Sequence, residues 1–484
     1  MIKSKAIELI KTFSEDEFRQ FGLFTESPYF NREVIQVKFY QLLKKNYPKF
    51  EAKSFTKEKV FEKLYPGKDY NDGVMRNILS KLLELSQEFI ALHNYRKKKI
   101  PYYTDLLNEL SIRDTNTLFD KAEKEAWILL DNVQIKDDHY FRNLYYLKNI
   151  KLNRIRNQKS TLYLPEEIHK ESSDALIKSF LIAVLKNQIS LANSNQKMFL
   201  LEEDEMLKNL ELYTESALNK YNDSVYLKYC YCSFQLALTR EEKYYFELKK
   251  ILNSFFTELH ERDIKDIFTI LTNFCYYKIN SGNTEYRKEH FYLFKENIEL
   301  GHYKGFRRFL EHIKYLNVTV TGLEAGETQW VKEFIEKYKQ ELDEQNRENA
   351  YNFCRALLFY NQKEYGNALT EASKVKTDDL SYKHQLKSLY MKIYFDMNET
   401  EPFYSHIDSY RHFLINEKRI PEQTKKNISS YITFTKKLYD LKNRLREIYK
   451  KDETEFNLSK LKQEITDSKN LINRQWLLEK ASKL

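Results

Sequence analysis

Apolar residues recur along nearly the whole chain at spacings of three and four, the period of a helix with one face buried, and strict alternation of the strand kind is missing. In residues 264–298, Ile264, Ile267, Phe268, Leu271, Phe274 and Cys275 form one stripe. Ser281, Gly282 and Asn283 break it, and Arg287, Phe291, Phe294 and Ile298 mark one side of a second helix that Gly301 stops. Gly282 can take the left-handed conformation that ends a helix and Asn283 can cap the next, so the unit is a helical hairpin. Ser14 and Glu17 have the spacing of a capping box, and Asn71 or Asp72 can cap a long helix through Leu92.

The same reading predicts helices near 2–12, 14–23, 32–45, 56–64, 73–98, 102–111, 115–131, 137–158, 173–192, 203–219, 223–238 and 241–259. Further helices are expected near 263–280, 284–299, 303–315, 327–343, 347–361, 366–374, 382–397, 401–415, 422–450, 457–467 and 470–482. Pro165, Gly322, Gly326, Pro402 and Pro421 are read as later joints. The fold class is all-α: stacked antiparallel helical hairpins, an α-solenoid, preceded by an N-terminal helical domain at 1–100. The solenoid is expected over 101–415 and basic capping helices over 416–484.

One hairpin maps onto another. Shifting 356–375 by 35 residues places Leu358 on Ile393, Phe359 on Tyr394, Tyr360 on Phe395 and Ala368 on Phe403. Such a hairpin cannot hide its apolar stripe alone, so each needs a stacked neighbour. The pattern resembles a tetratricopeptide repeat: Ala356 stands at the small Gly-like place, Phe359 at the Tyr place and Ala368 at the Ala place, while Asn352, Arg355, Ala372 and Leu380 depart from it. The resemblance covers roughly 345–415. Phe353 and Cys354, then Ser388 and Leu389, stand where many such domains carry the Lys, Asn and Arg that clamp a partner's terminal carboxylate, so that mode of binding is not implied. The head, with SPYFN, LYPGKDYND and MRNILSKLLEL, is similar to large helical bacterial chains to which no activity is assigned.

At 484 residues the chain exceeds what one hydrophobic core serves, so it is several domains or an elongated stack. Nine glycines and seven prolines are too few for a sheet-rich or loop-rich fold. They also leave little room for a phosphate-cradling loop, and no such motif is present. The four cysteines are too few and too scattered to staple a chain of this length, which points to a reducing, cytoplasmic setting. The longest apolar run, residues 180–185, falls far short of the roughly 20 residues that span a bilayer.

Charge is uneven: residues 416–484 hold seventeen Lys and Arg against ten Asp and Glu, which leaves the rest of a chain of net charge +9 close to neutral. The ten histidines show no pair at metal-ligand spacing, and Glu202, Glu203, Asp204 and Glu205 suit a helix start. No enzyme activity, cofactor or metal is therefore expected. The expected function is a non-catalytic scaffold that binds another protein or peptide segment on a concave face. Phe353, Leu357, Tyr360 and Asn361 line the clearest inner helix, and Lys392, Phe395 and Asp396 the next. The competing reading is nucleic-acid binding, through a helix-turn-helix-like stretch at 56–99 that exits on Arg96, Lys97, Lys98 and Lys99, and through the acid-free segment 139–165.

Overall fold

The computed structural model describes residues 2–51, 55–158, 165–193, 205–303, 309–376, 379–444, 451–468 and 471–484. Among them lie 23 α-helices and no strand, with one isolated bridge between Leu310 and Leu342. The expected acids Glu202, Glu203 and Asp204, the cation Lys159, and residues 445–450 of the expected helix 422–450 fall outside the described residues. The chain divides into two compact units, Met1–Phe234 and Gln235–Leu484.

The first unit contains α1 (Lys5–Ile10), α2 (Glu15–Glu26), α3 (Val34–Lys44), α4 (Lys57–Leu64), α5 (Asp72–Lys97), α6 (Lys99–Ile112), α7 (Asn116–Asp131), α8 (Asp138–Gln158), α9 (Glu166–Asn193) and α10 (Glu205–Lys220). The boundary falls inside α11 (Val225–Thr239). In the head, α1 to α4 all pack on α5 around Phe21, Phe39, Leu43 and Leu82. Burying a side chain of this size stabilises by about 1.5–3 kcal/mol. The capping box forms, with the Ser14 N–H donating to Glu17 Oε2 at 2.9 Å and the Glu17 N–H to Ser14 Oγ at 3.2 Å. Asn71 Oδ1 caps α5 through the Val74 N–H at 3.0 Å. Of the α5 stripe, Ile78, Leu82, Leu85 and Phe89 are buried and Val74 is exposed.

The second unit continues with α12 (Glu242–Ser254), α13 (Glu261–Asn280), α14 (Tyr286–Glu299), α15 (His312–Glu324), α16 (Thr328–Tyr338) and α17 (Arg347–Asn361). It ends with α18 (Tyr365–Ser373), α19 (Leu380–Met397), α20 (Thr400–Asn416), α21 (Glu422–Arg444), α22 (Lys451–Asp467) and α23 (Arg474–Ser482). Helices adjacent in sequence pack on one another, and so do alternate ones such as α15 with α17 and α17 with α19. One core runs from Ile298 to Ile393, and a second joins α19 and α20 to α21, α22 and α23. The six apolar residues that marked α13 are all buried.

The joint expected at Gly322 is a helix interior, and the helix expected at 303–315 lies instead at 312–324. A Cβ on Gly322 would stand 2.4 Å from Val331 Cγ2 and 3.1 Å from Phe291 Cε2, so this glycine serves close packing of α15 on α16 and α14 and does not end a helix. Pro402 is likewise inside α20, in its first turn, where its missing N–H has no intrahelical partner to lose.

Candidate functional site

The 35-residue shift predicts that Tyr360 and Phe395 occupy equivalent places, and both lie in the last turns of their helices, α17 and α19. The turn that follows each helix is the same. Lys363 and Asn398 adopt positive φ of 63° and 62°, and the next N–H reaches back five residues, Glu364 to the Phe359 carbonyl at 2.9 Å and Glu399 to the Tyr394 carbonyl at 3.2 Å. This is the left-handed helix stop usually given to glycine.

Helix α23, the last of the chain, brings its polar side chains against these turns. The Trp476 indole N–H donates to the Tyr360 hydroxyl at 3.0 Å, and that hydroxyl donates to Asp396 Oδ2 at 2.7 Å. Lys480 closes an ion pair with the other Asp396 oxygen. Lys392 Nζ donates to Oδ1 of Asn473 at 2.8 Å, and Asn473 sits at the head of α23 in the left-handed region. From α14, Arg287 Nη2 pairs with Glu479 at 3.3 Å. Phe395 is buried edge-on to Trp476, with centroids 5.3 Å apart, and Lys442 lies 4.7 Å above the Phe395 ring while donating to its carbonyl at 2.7 Å.

Four of the seven expected binding residues, Tyr360, Lys392, Phe395 and Asp396, thus meet in one place. The other three lie elsewhere. Phe353 is a core residue, 1% exposed and packed on Tyr382, because its side of α17 faces neighbouring helices. Leu357 is half-buried against the same core, and Asn361 is exposed and accepts a hydrogen bond from the Thr328 hydroxyl at 3.2 Å. Sequence reading missed Arg287, Glu324, Asn473, Glu479 and Lys480. The Trp476–Lys480 pair, one helical turn apart beside a basic tail, was the one available sign of α23's role.

Glu324, the last residue of α15, keeps much of its side chain open to water, yet surrounding protein raises its carboxyl pKa, opposed by the charges of Lys392 and Arg287. Burial likewise pulls the Lys392 ammonium down to about 8, against the opposing pull of Glu324 and Asp396. Burial, together with Asp396, pushes the Tyr360 hydroxyl above the ordinary tyrosine range. The cluster therefore holds cations and carboxylates partly away from bulk water, where their attraction for one another is stronger than at an open surface.

Elsewhere the titratable groups have structural explanations. Asp137, Asp138 and His139 bring ligand atoms within 4.8 Å of one another. Asp138 is already held by Arg142 at 3.2 Å and Lys186 at 3.4 Å, while Asp137 Oδ1 accepts from the Tyr140 N–H at 2.9 Å at the start of α8. The four cysteines are buried; burial pushes the Cys275 and Cys354 thiols up to about 12, away from nucleophilic thiolate character.

Three cations of the alternative basic segment, Arg142, Lys148 and Arg154, are paired within the chain. Lys148 pairs with Glu171 and lies 5.0 Å over the Trp127 ring; Arg154 pairs with Asp120 and lies 4.1 Å over Phe119. Of the run at 96–99, Lys97 reaches Glu17 at 3.7 Å. Among the described residues no helix is long and apolar enough to cross a membrane. Comparison with known protein families, with curated proteins and with solved structures gives no match.

Proposed function

We propose that this chain is a non-catalytic scaffold whose second unit stacks its hairpins as a tetratricopeptide-like solenoid and holds a segment of a partner protein at the polar cluster of Tyr360, Lys392 and Asp396. The observation that carries this reading is the meeting of side chains from four helices, α14, α17, α19 and α23, in one cluster of both signs of charge. Such a site recognises polar and charged side chains of a segment laid along it.

The scaffold reading is favoured over nucleic-acid binding because Lys148 and Arg154 are committed to carboxylates and aromatic rings within the chain. The test is affinity purification of the tagged full chain from its native cell, comparing wild type with a Glu479→Lys, Lys480→Glu variant. A partner retained at stoichiometry by the wild type and lost by the variant supports the reading. Recovery of the chain alone, or equal retention by both, removes it.

A further inference from the structure

Helix α23 is held on its two sides by different means. Its backbone packs on α21 and α22, and there Leu477 and Ala481 are buried in one core with Leu438 of α21 and Leu461 of α22. Towards α14, α17 and α19 the ties are side chains and mostly polar: Trp476 to Tyr360, Lys480 to Asp396, Asn473 to Lys392 and Glu479 to Arg287. The Lys392 and Lys480 ammonium groups each lie 5.6 Å from the centre of the Trp476 ring. Asn473, which opens the helix, is left-handed with φ of 51°, and hydrogen bonds of 2.8 Å from Lys392 and 3.4 Å to Ser388 hold it there.

These features make α23 separable from the helices it meets. At nine residues it is shorter than the roughly 12–15 that an isolated helix needs in water, so its helix depends on its contacts. Polar ties exchange for water when they break, and Glu479 is already exposed, so opening costs less here than in the apolar cores of the unit. We infer that α23 is a clasp: it docks and undocks as one unit on α14, α17 and α19 while the rest of the second unit stays folded, and the partner's cluster is complete only when it is docked. That last step rests on the scaffold reading. Undocking takes Asn473, Trp476, Glu479 and Lys480 away together and leaves Arg287, Lys392 and Asp396 to water. A segment that binds the completed cluster therefore holds α23 shut, and whatever opens α23 releases the segment.

The test is amide hydrogen exchange, read by mass spectrometry, on the full-length wild type, Lys480→Met and Lys480→Arg. Methionine keeps the apolar stem of Lys480 beside Trp476 and removes the charge that Asp396 receives, while arginine keeps the charge. In the wild type, residues 474–482 are expected to exchange as one unit and ahead of residues 428–441 of α21. In Lys480→Met that unit is expected to exchange roughly five- to thirtyfold faster, with α17 and α21 unchanged, and Lys480→Arg is expected to stay near the wild type. Exchange of residues 474–482 no faster than that of α21 in the wild type overturns the clasp. So does an acceleration in Lys480→Met that is absent, or that spreads equally over α17, α21 and α23. Those outcomes make α23 an inseparable part of the core and leave the scaffold reading standing, since that reading is decided by partner retention alone.

Discussion

Trp476 and Tyr360, 116 residues apart in sequence, meet through a 3.0 Å hydrogen bond from indole N–H to phenol oxygen. The contact ties the final helix to the turn that follows α17, and the Tyr360 hydroxyl in turn donates a hydrogen bond to Asp396. Trp476 also rests its ring on Phe395. Replacing Trp476 by Ala removes both packing and donor from a half-buried site and is expected to cost about 2–3 kcal/mol. Trp476→Phe keeps most of the packing and loses the bond, for about 1 kcal/mol. Urea unfolding of both variants beside the wild type checks this, and a Trp476→Phe midpoint equal to that of the wild type would show that the indole N–H contributes nothing.

Three histidines of the second unit, His290 buried and two others half-buried, set a pH dependence. Burial holds His290, His384 and His406 near a pKa of about 4, against 6.5 for a free imidazole. Between these values the unfolded chain binds more protons than the folded one, so stability rises with pH there. The contribution is complete above about pH 6.5 and is lost as pH falls towards 4. Glu296 and Glu324, whose carboxyl pKa values are raised by burial, act in the opposite sense in the acid range just above the free carboxyl value. The denaturant midpoint should therefore fall between pH 6.5 and 5, before most carboxylates titrate, and fall less in a His290→Phe variant. A midpoint flat over that interval would contradict neutral burial of the three rings.

Two glycines of the second unit should answer Ala substitution with opposite signs. Gly322→Ala forces a methyl to within 2.4 Å of Val331 in the packed contact of α15 with α16, an overpacking cost of about 1–3 kcal/mol that exceeds the helix-propensity gain of about 1. Gly366, in the first turn of α18, has nothing within 4 Å of its Cβ position, so Gly366→Ala should stabilise by up to about 1 kcal/mol. Thermal midpoints of the pair, measured side by side, decide the matter; movement in the same direction would refute the packing role of Gly322.

These positions also mark what could be read from the sequence. The helical period exposed α13 and α17 almost residue by residue, because their buried stripes are wide and apolar. It also placed Tyr360, Phe395 and Asp396 together, since a 35-residue shift aligns whole hairpins. Gly322 misled because glycine is written alike at a helix stop, as at Gly326 with φ of 85°, and at a close helix crossing; only the neighbouring Val331 and Phe291 distinguish the two. The role of Arg287 was invisible for a related reason. It depends on which charge the fold brings to it, and its partner Glu479 lies 192 residues away in the chain.

The left-handed helix stops carry the last expectation. Gly282, Gly301 and Gly326 take positive φ after α13, α14 and α15 at no steric cost, but Lys363 takes φ of 63° after α17, where an L side chain crowds its own carbonyl. The stop is needed all the same: the Lys363 N–H meets the Tyr360 carbonyl at 3.0 Å and the Glu364 N–H meets that of Phe359, satisfying carbonyls that the ending helix leaves open. The Lys363 side chain is exposed and forms no ion pair among the described residues. Lys363→Gly therefore relieves strain of about 1–2 kcal/mol at the expense of some unfolded-state entropy, and a net gain of about 0.5–1 kcal/mol is expected. Gly326→Ala, the reverse exchange at the equivalent stop, should lose about 1 kcal/mol. Urea midpoints of both variants check the pair. A loss of stability in Lys363→Gly would mean that the lysine side chain does something at this turn that its exposure gives no sign of.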